Sequence, residues 1–222
     1  MSEILAPCGA QESLSAAVNA GADAVYLGEE YFSARKNADN FTAEQLCEAV
    51  RFCHYSGVKV YVTLNTLVFD REIPLLAKAI ENCAKADVDG FIVQDMGVAR
   101  LARQIVPELP LHASTQMTVN SPEGAIMAKK LGFTRVVLGR ELSYEQIKAI
   151  VNSCDIETEL FVHGALCVCL SGQCYMSSVL GGRSGNRGLC AQPCRLDFTS
   201  GDRHNALSLK DLSLIERLPE LQ

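Results

Sequence analysis

The sequence lacks the features of a membrane or exported protein. It contains no apolar run of about 18 residues or more, which a transmembrane helix needs. The first residues, MSEILAPCGA, include no basic region ahead of an apolar stretch, so we expect no secretory signal. A net charge of −6 argues against broad attraction to nucleic acid or anionic membrane, although a local basic patch is compatible with it. We therefore expect a soluble, cytoplasmic chain with no membrane partner.

Several catalytic motifs are also absent. No GxGxxG or P-loop follows the first predicted strand, which removes the common phosphate-binding loops. The sequence has neither the HExxH of a common zinc peptidase nor the GxSxG elbow of a serine hydrolase. A cysteine peptidase that uses Cys167 with His163 stays open, but closeness along one segment does not guarantee the geometry.

Short apolar runs alternate with amphipathic helical patterns. Runs rich in Val, Ile, Leu, Tyr and Phe are typical of parallel strands buried on both faces. Seven such runs, most of them roughly 20–30 residues apart, fit an α/β fold of the TIM-like (β/α)8 barrel type better than an open doubly wound sheet. The predicted strands are Glu3–Pro7, Ala24–Leu27, Val58–Leu64, Gly90–Val93, Leu111–Ala113, Arg135–Leu138 and Thr158–Val162.

Six helices are predicted between these strands. Thr42 and Ser143 begin two of them, and each is followed three residues later by a Gln, which is the spacing of a capping box. Ser121 precedes a Pro and a Glu, which is typical of a helix start. The predicted helices lie near residues 11–19, 42–56, 71–86, 97–105, 121–131 and 143–152.

The barrel is expected to be incomplete. With seven strands visible, an eighth is expected after residue 222, so the chain would be a fragment or a natural truncation that ends in a helix beginning near Asp211. Open sheet edges could be covered by strand exchange or by a homo-oligomer. We predict a barrel at 1–165, a Cys-rich cluster-binding segment after strand 7 at 166–200, and the start of a C-terminal element at 201–222.

The sequence has ten cysteines, and half of them crowd into 28 residues. Without an export signal, such crowding favours metal binding or redox chemistry over a disulfide framework. Cys8 stands apart after the first strand, and Cys47, Cys53, Cys83 and Cys154 are expected to be small buried apolar residues. The crowded cysteines are Cys167, Cys169, Cys174, Cys190 and Cys194.

The spacing of these five cysteines favours an iron–sulfur centre. Six residues separate Cys167 from Cys174, fifteen separate Cys174 from Cys190, and three separate Cys190 from Cys194. Iron–sulfur clusters need thiolates from several points of the chain, and the intervening glycines allow them to converge. Zinc uses the same ligands, but its paired CxxC knuckles are absent. Zinc and a catalytic or unliganded thiol stay as alternatives, and the pattern does not say which four cysteines ligate.

Polar residues follow the predicted strands, at the face where barrel enzymes place their active sites. Any one of them is compatible with an ordinary solvated loop, but together they suit a small polar ligand. Arg35, after the second strand, fits an anion contact and a solvated side chain equally well. The strand-end residues include Cys8, Glu29, Arg140, Glu141 and His163, with Asn65, Gln94, Asp95, Ser114 and Gln116 as predicted substrate contacts.

Three residues near the last predicted strand are candidate catalytic groups: Glu159, His163 and Arg140. Strand alternation would put Glu159 and His163 on one face. A Glu in a buried strand is costly unless partnered, so Glu159 is either bonded to backbone or an Arg, or functional. His163 is an acid–base group, a proton donor near the cluster, or a hydrogen-bonded packing residue.

Arginines flank the crowded cysteines. Arg183, Arg187 and Arg195 belong either to a solvated loop or to a local positive charge. Such a charge would lower thiol pKa values or attract an anionic substrate. Arg183 and Arg187 are predicted substrate contacts on the second interpretation.

Several stretches resemble one known family. They are APCGAQESLSAAVNAGADAVYLG at the N-terminus, LHASTQMTVNS in the middle, and ELFVHGALC, SGQCYMSS and GGRSGNRGLCAQPCR around the cysteines. In these stretches the chain resembles the collagenase-like peptidase family U32 over essentially its whole length. The family name implies a protease without an assigned catalytic type.

The resemblance also implies a second activity. Several members act in oxygen-independent hydroxylation of tRNA, ribosomal RNA or the ubiquinone ring and carry a [4Fe–4S] cluster, and the RNA-modifying members are linked to prephenate. By position, Cys167, Cys174 and Cys190 would be ligands, with Cys194 as the fourth within this chain and Cys169 as an extra thiol. We expect an iron–sulfur hydroxylase acting on RNA, with prephenate as co-substrate. The alternatives are a peptidase acting on peptides and a non-catalytic iron–sulfur accessory protein.

Overall fold

The computed structural model describes residues 2–34 and 39–221. Arg35, the predicted anion contact, lies outside these residues. The chain divides into two compact units, Met1–His112 and Ala113–Gln222. The predicted divisions at 165 and 200 stay predictions.

The principal sheet contains seven strands in chain order. Wherever the register is described, neighbouring strands are parallel. Chain order with a helix after each strand is the connectivity of a (β/α) barrel and not of a doubly wound sheet, so the predicted TIM-like fold class is confirmed. The strands are β1 (Leu5–Pro7), β2 (Ala24–Gly28), β3 (Lys59–Leu64), β4 (Gly90–Val93), β5 (Leu111–Ala113), β6 (Arg135–Val137) and β7 (Glu157–Glu159).

The helices begin where the capping signals predict. Thr42 Oγ1 accepts a hydrogen bond from the backbone N–H of Gln45 at 3.3 Å, and Gln45 Oε1 accepts one from the N–H of Thr42 at 2.9 Å. Ser143 and Gln146 form the same box at 3.3 and 2.8 Å. Each box satisfies two N–H groups that the first turn leaves unpaired. The helices are α1 (Gln11–Asn19), α2 (Ala43–Tyr55), α3 (Ile73–Lys85), α4 (Met96–Ile105), α5 (Pro122–Lys130), α6 (Tyr144–Val151), α7 (Met176–Gly181) and α8 (Leu218–Leu221).

The first unit has a continuous apolar core. Val25, Val60 and Val62 in the central strands are fully buried, as are Leu46 and Ile80 on the helices. Helices cover the parallel strands, so the strands are apolar along their length and do not alternate.

The end of the predicted seventh strand is wrong. β7 ends at Glu159, and residues 163–164 form a separate strand, β8 (His163–Gly164), which pairs antiparallel with β9 (Leu212–Ser213). The N–H of Leu214 also donates to the carbonyl of Val162 at 2.8 Å. The chain therefore leaves β6 after Glu159 and pairs with a later segment. Alternation consequently does not place Glu159 and His163 on one face.

The predicted helix from Asp211 is also wrong, because β9 and a 3₁₀ turn (Ile215–Arg217) precede α8. Backbone pairing with β8 holds residues 212–214 in an extended conformation. In the described part of the chain, every helix is too short or too polar to span a bilayer.

Candidate functional site

The four predicted cluster ligands lie in a loop-rich segment of the second unit. Cys167 follows β8, and Cys174 lies two residues before α7. Cys190 precedes a 3₁₀ turn, Pro193–Arg195, that contains Cys194. All four thiols are free; Cys167 and Cys190 are exposed, and the other two are half-buried.

Three of these thiols interact electrostatically. Burial raises the pKa of Cys194, the thiol of Cys167 raises it further, the guanidinium of Arg195 lowers it, and Cys190 adds a smaller upward shift. The net direction is upward. Arg195 does lower the pKa of Cys194, as the sequence analysis allowed, but burial and the neighbouring thiols outweigh this single positive charge.

The backbone of Cys174 lies close to the segment that carries Cys190. The carbonyl oxygen of Cys174 and the Cβ of Cys190 each lie 3.7 Å from the point where a Cβ on Gly185 would stand. The two stretches of chain that carry Cys174 and Cys190 therefore approach each other across this glycine. Asn186, the next residue, is buried and donates its side-chain amide to the carbonyl of Gly172.

The four free cysteines are of the chemical type that ligates an iron–sulfur cluster. Among residues 2–34 and 39–221, no three His, Cys, Asp or Glu side chains are arranged to hold one metal ion. Tetrahedral zinc requires its ligands within about 2.0–2.3 Å of the ion. A cluster is larger and takes thiolates from separate points of the chain. Cys174 and Cys190, both free, lie on stretches of chain that approach each other across Gly185, which is compatible with that requirement.

Glu141, four residues after β6, holds the segment that leads to Cys174. Its Oε1 accepts hydrogen bonds from the N–H of Ser171 at 2.9 Å and from the side-chain amide of Asn120 at 3.2 Å. Its Oε2 accepts the hydroxyl of Ser171 at 3.0 Å. Burial raises the pKa of Glu141, but these donors outweigh it and leave the pKa below its ordinary value. The carboxylate is therefore ionised at neutral pH.

The loop after β5 contacts the same short stretch. Thr118 Oγ1 donates to the carbonyl of Ser171 at 2.9 Å and accepts the side-chain amide of Gln173 at 3.0 Å. Gly172 has φ +79°, and a Cβ there would stand 2.6 Å from the carbonyl oxygen of Gln116. We call these contacts of Ser171–Gln173 with the loops after β5 and β6 the Ser171 anchor.

The predicted catalytic Glu159 is an ion-pair partner. Its Oε2 lies 3.6 Å from the Arg135 guanidinium, which is buried and also pairs with Glu157 at 2.8 Å. This ion pair supplies the partner that one of the two interpretations of Glu159 requires, and the functional interpretation stays a prediction. Arg135, the first residue of β6, thus pairs with the first and the last residue of β7.

The other two predicted catalytic residues lie beside the start of the Cys-rich segment. The Arg140 guanidinium donates to the carbonyl of Ala165 at 3.0 Å and stacks 3.8 Å above the ring of Phe161. His163 is exposed on β8, and within the described residues its side chain makes no hydrogen bond or ion pair. His163 is therefore not held as a base against Cys167.

The predicted substrate contacts of the first unit divide into two kinds. Asn65 Oδ1 accepts the N–H of Ala34 at 2.9 Å, and Asp95 caps α4 by accepting the N–H of Gly97 at 2.7 Å. Both side chains hold loops. Gln94 differs, because its Oε1 is buried and has no hydrogen-bond partner among the described residues. A buried acceptor without a partner is costly, so Gln94 has the stronger claim to a ligand contact.

Two predicted substrate contacts of the second unit, Ser114 and Gln116, belong to the loop after β5. Ser114 is buried, and its Oγ accepts the N–H of Gln116 at 3.2 Å, which caps the 3₁₀ turn Thr115–Met117. Gln116 contributes its backbone to the Ser171 anchor. Both residues therefore shape the surface that receives the Cys-rich segment.

The stretch of sequence around the cysteines contains arginines and no carboxylates. Between Glu159 and Asp197 the sequence contains no Asp or Glu, but it contains three arginines. Arg183 is exposed and fixed by a hydrogen bond from Nε to the carbonyl of Leu189 at 3.0 Å. Next to Cys174, Tyr175 is 64% exposed.

The remaining two arginines are held more closely. Arg187 is half-buried in the 3₁₀ turn Gly185–Arg187. Arg195 donates to the carbonyls of Leu166 at 3.0 Å and of Leu209, and lies 3.7 Å from an Asp211 oxygen. Arg195 therefore links Leu166, at the start of the Cys-rich segment, to residues 209–211 through hydrogen bonds and an ion pair.

Comparison with solved structures defines the class of protein. The U32 peptidase Mk0906 superposes with a TM-score of 0.63 at 19% identity, covering 74% of this chain and 70% of that chain. A thiamine phosphate pyrophosphorylase from Pyrococcus furiosus has a TM-score of 0.50 at 19% identity, covering 74% and 75%. Identities this low establish the fold alone. The chain is an α/β protein of the TIM-barrel type with a cysteine-rich segment after the seventh strand.

Sequence comparison then gives the family. The model of Peptidase family U32 matches residues 9–222, and the chain belongs to this family. The 23S rRNA 5-hydroxycytidine C2501 synthase of Escherichia coli is 43% identical over 217 residues, covering 94% of this chain and 33% of that protein. The tRNA hydroxylation protein P1 of Bacillus subtilis is 38% identical over 233 residues, covering 99% and 55%. The Collagenase of Porphyromonas gingivalis is 38% identical over 219 residues, covering 93% and 52%. The chain thus spans a third to just over half of the length of these relatives.

Proposed function

We propose that this chain carries the iron–sulfur part of a cytoplasmic enzyme for oxygen-independent hydroxylation of bases in tRNA or ribosomal RNA. The observation that carries the proposal is 43% identity, over 94% of the chain, to a protein named for making 5-hydroxycytidine in 23S rRNA. A second relative, at 38% identity over 99% of the chain, is named for tRNA hydroxylation. Both similarities run through the Cys-rich segment.

In this proposal, the thiols of Cys167, Cys174 and Cys190 hold a [4Fe–4S] cluster, with Cys194 as the fourth ligand within the chain. When bound, such a cluster supplies one-electron redox chemistry. The protein residues around it position the thiols. The Ser171 anchor fixes the stretch before Cys174, and Arg195 fixes the stretch before Cys167.

The electrostatics around the cysteines support an RNA partner. Nucleic-acid recognition combines positive charge for phosphates with exposed aromatic rings for unstacked bases. Arg183 and Arg187 supply the charge in a stretch without carboxylates, and exposed Tyr175 supplies a ring beside Cys174. A local patch of this kind is compatible with the overall charge of −6.

Prephenate, the co-substrate implied by the family resemblance, remains part of the proposal. It carries two carboxylates, and guanidinium groups pair with carboxylates through paired hydrogen bonds. Arg140 lies beside the start of the Cys-rich segment, where it stacks on Phe161. Gln94, whose buried oxygen lacks a partner among the described residues, is a candidate contact for a polar group of a small ligand.

A peptidase is the second candidate, because a relative named Collagenase is 38% identical over 93% of the chain. A thiol peptidase needs a base within hydrogen-bond reach of its nucleophile. His163, the nearest histidine in sequence to Cys167, makes no side-chain hydrogen bond within the described residues. The described geometry therefore gives this candidate less support.

Nucleoside analysis separates the two candidates. Deleting the gene should remove a hydroxylated nucleoside from digested tRNA or rRNA, as measured by mass spectrometry. Wild-type complementation should restore it, and Cys174→Ala should not, whereas Cys169→Ala should. An unchanged nucleoside profile in the deletion strain, with peptide cleavage by purified protein that survives Cys174→Ala, would overturn the hydroxylase proposal in favour of the peptidase.

A further inference from the structure

One charged residue outside the cysteine set accepts hydrogen bonds from the segment that leads to Cys174. Glu141 receives three hydrogen bonds, and two of them come from Ser171, which lies three residues before Cys174. We propose that Glu141 is a positioning residue that, through Ser171, fixes where Cys174 stands relative to Cys190. The inference rests on the proposed function only for the identity of the group that the thiols bind.

The stretch between Ser171 and Cys174 has little freedom to absorb a displacement. Gly172 packs its backbone against Gln116, and the carbonyl of Gly172 accepts the buried amide of Asn186. Gln173 is tied to Thr118 at 3.0 Å. Each residue between Glu141's contact and Cys174 is therefore held, so a shift at Ser171 is transmitted to Cys174.

Asn186 connects the Ser171 anchor to the turn that lies beside Cys190. It is next to Gly185, across which Cys174 and Cys190 approach each other. Its amide donates back to Gly172 within the anchor. The contacts thus form a closed path from Glu141 through the anchor to the turn beside Cys190. A chain of contacts of this kind fixes the distance between the segment that carries Cys174 and the segment that carries Cys190. A single contact at one end of the chain would not fix that distance.

Gly139 offers a second way to disturb the same carboxylate. A Cβ on Gly139 would stand 2.8 Å from Glu141 Oε1 and 2.7 Å from Asn120 Oδ1. Both atoms are the ends of side chains, so a methyl group would displace the carboxylate and the amide. Gly139→Ala therefore perturbs the contact without removing the negative charge.

The matched variants are Glu141→Gln, Gly139→Ala and, as control, Glu145→Gln. Glu145 is an exposed acid in the first turn of α6, and it has no contact with the anchor among the described residues. A hydrogen bond to a charged group that is partly open to solvent contributes enough for its loss to change local opening by about tenfold. The first readout is the alkylation rate of Cys174 in the full chain after iron chelation, with amide exchange of residues 171–174 measured in parallel.

We expect Glu141→Gln and Gly139→Ala to speed both rates by about tenfold, with Glu145→Gln at the wild-type rate. Ser171→Ala removes only the hydroxyl donor, so it should increase the alkylation and exchange rates by less. It keeps the inference testable if one of the other variants fails to fold. The second readout is the visible and electron paramagnetic resonance spectrum of the chain reconstituted with iron and sulfide. It should change in Gly139→Ala even where the melting temperature stays at the wild-type value.

Two results separate failure of this inference from failure of the proposed function. If wild-type chain binds iron and all three anchor variants keep its Cys174 alkylation rate and spectrum, Glu141 is not a positioning residue. If wild-type chain binds no iron, the proposed function fails, and the alkylation and exchange rates still decide the role of Glu141.

Discussion

At the scale of single residues, the ten cysteines divide by environment. Cys53 and Cys83 are fully buried on helices of the first unit, as predicted, whereas Cys47 and Cys154, which were expected to be buried as well, are half-buried. Burial, with smaller effects from Cys8 and Asp89, raises the pKa of Cys53 to about 12. Burial and nearby Glu29 raise the pKa of Cys83 well above its ordinary value. Cys167 and Cys190 are exposed instead.

Because the thiolate is the reactive form, this division predicts an alkylation pattern. In the folded, iron-free chain at pH 8, iodoacetamide should modify Cys167 and Cys190 and leave Cys53 and Cys83 unmodified. Peptide mass spectrometry measures each site, and denatured chain, in which all four should react, is the control. Rapid modification of Cys53 in the folded chain would contradict the described burial.

Glu29 gives a prediction with a defined pH dependence. It is 5% exposed, and burial raises its pKa, which the Asn82 hydrogen bond partly opposes and Glu30 reinforces. A raised carboxyl pKa means that the folded state holds the proton more tightly than the unfolded state. The associated stability is present at low pH and is lost as the pH rises from the ordinary value of about 4.3 through the raised pKa.

Glu29→Gln removes the ionisable group and keeps a hydrogen-bonding side chain of the same size. At pH 7 it should raise the melting temperature by about 2–4 °C, the shift that about 1 kcal/mol gives in a chain of this length. The gain should shrink toward pH 4, where wild-type Glu29 is protonated. Calorimetry at both pH values measures it, with exposed Glu44→Gln as control. A lower melting temperature at pH 7 would show that the carboxylate is stabilising.

The role of Glu159 shows what residue types alone leave undecided. A Glu in an apolar strand indicates that it has a partner, and the sequence contains several arginines that fit that role. Only the register of β6 on β7, with Arg135 opposite Glu157, identifies Arg135 as the partner. The burial of Arg135 then favours a structural role.

At the scale of elements, local signals predicted the helices better than the last strand. The capping boxes at Thr42 and Ser143 depend on residues three positions apart, and both formed as predicted. The end of β7 depends on pairing between residues 162–164 and 212–214, which lie about fifty positions apart in the sequence. Hydrophobic patterning cannot indicate a partner so distant, so Thr158–Val162 was predicted as one strand.

The Ser171 anchor was missed for a related reason. Its hydrogen bonds join residues 30 and 53 positions apart, and its members Thr118 and Ser171 are small polar residues without a chemical motif. The available sequence signal was Gly172, since a glycine before a proposed ligand suggests a backbone requirement.

Gly172 provides the test of the anchor as an element. Its φ of +79° and the 2.6 Å approach to the Gln116 carbonyl leave no space for a side chain. Gly172→Ala should cost about 1–3 kcal/mol in local stability. Amide exchange of residues 170–175 should rise accordingly. Gly181→Ala, where a Cβ meets no atom within 4 Å, is the control and should leave exchange unchanged. Equal exchange in the two variants would contradict the described anchor.

At the scale of the whole molecule, the order of strands and helices followed from the sequence, but the division into units did not. Seven apolar runs with helices between them predicted the chain-ordered sheet, because each run and each helix carries its own signal. The boundary between the units along the chain falls between His112 and Ala113, inside the apolar run of β5. No glycine-rich or proline-rich linker marks that point, so composition does not indicate it.

The central claim is that the thiols of residues 167–194 hold an iron–sulfur cluster. Its most direct test is an iron and sulfide count, with a visible spectrum, on the full chain purified without oxygen. We predict about four iron and four sulfide per chain in wild type and in Cys169→Ala, and loss of both with the charge-transfer absorbance in Cys174→Ala. Wild-type chain with only trace iron, or Cys174→Ala with an unchanged iron count and spectrum, would contradict the claim.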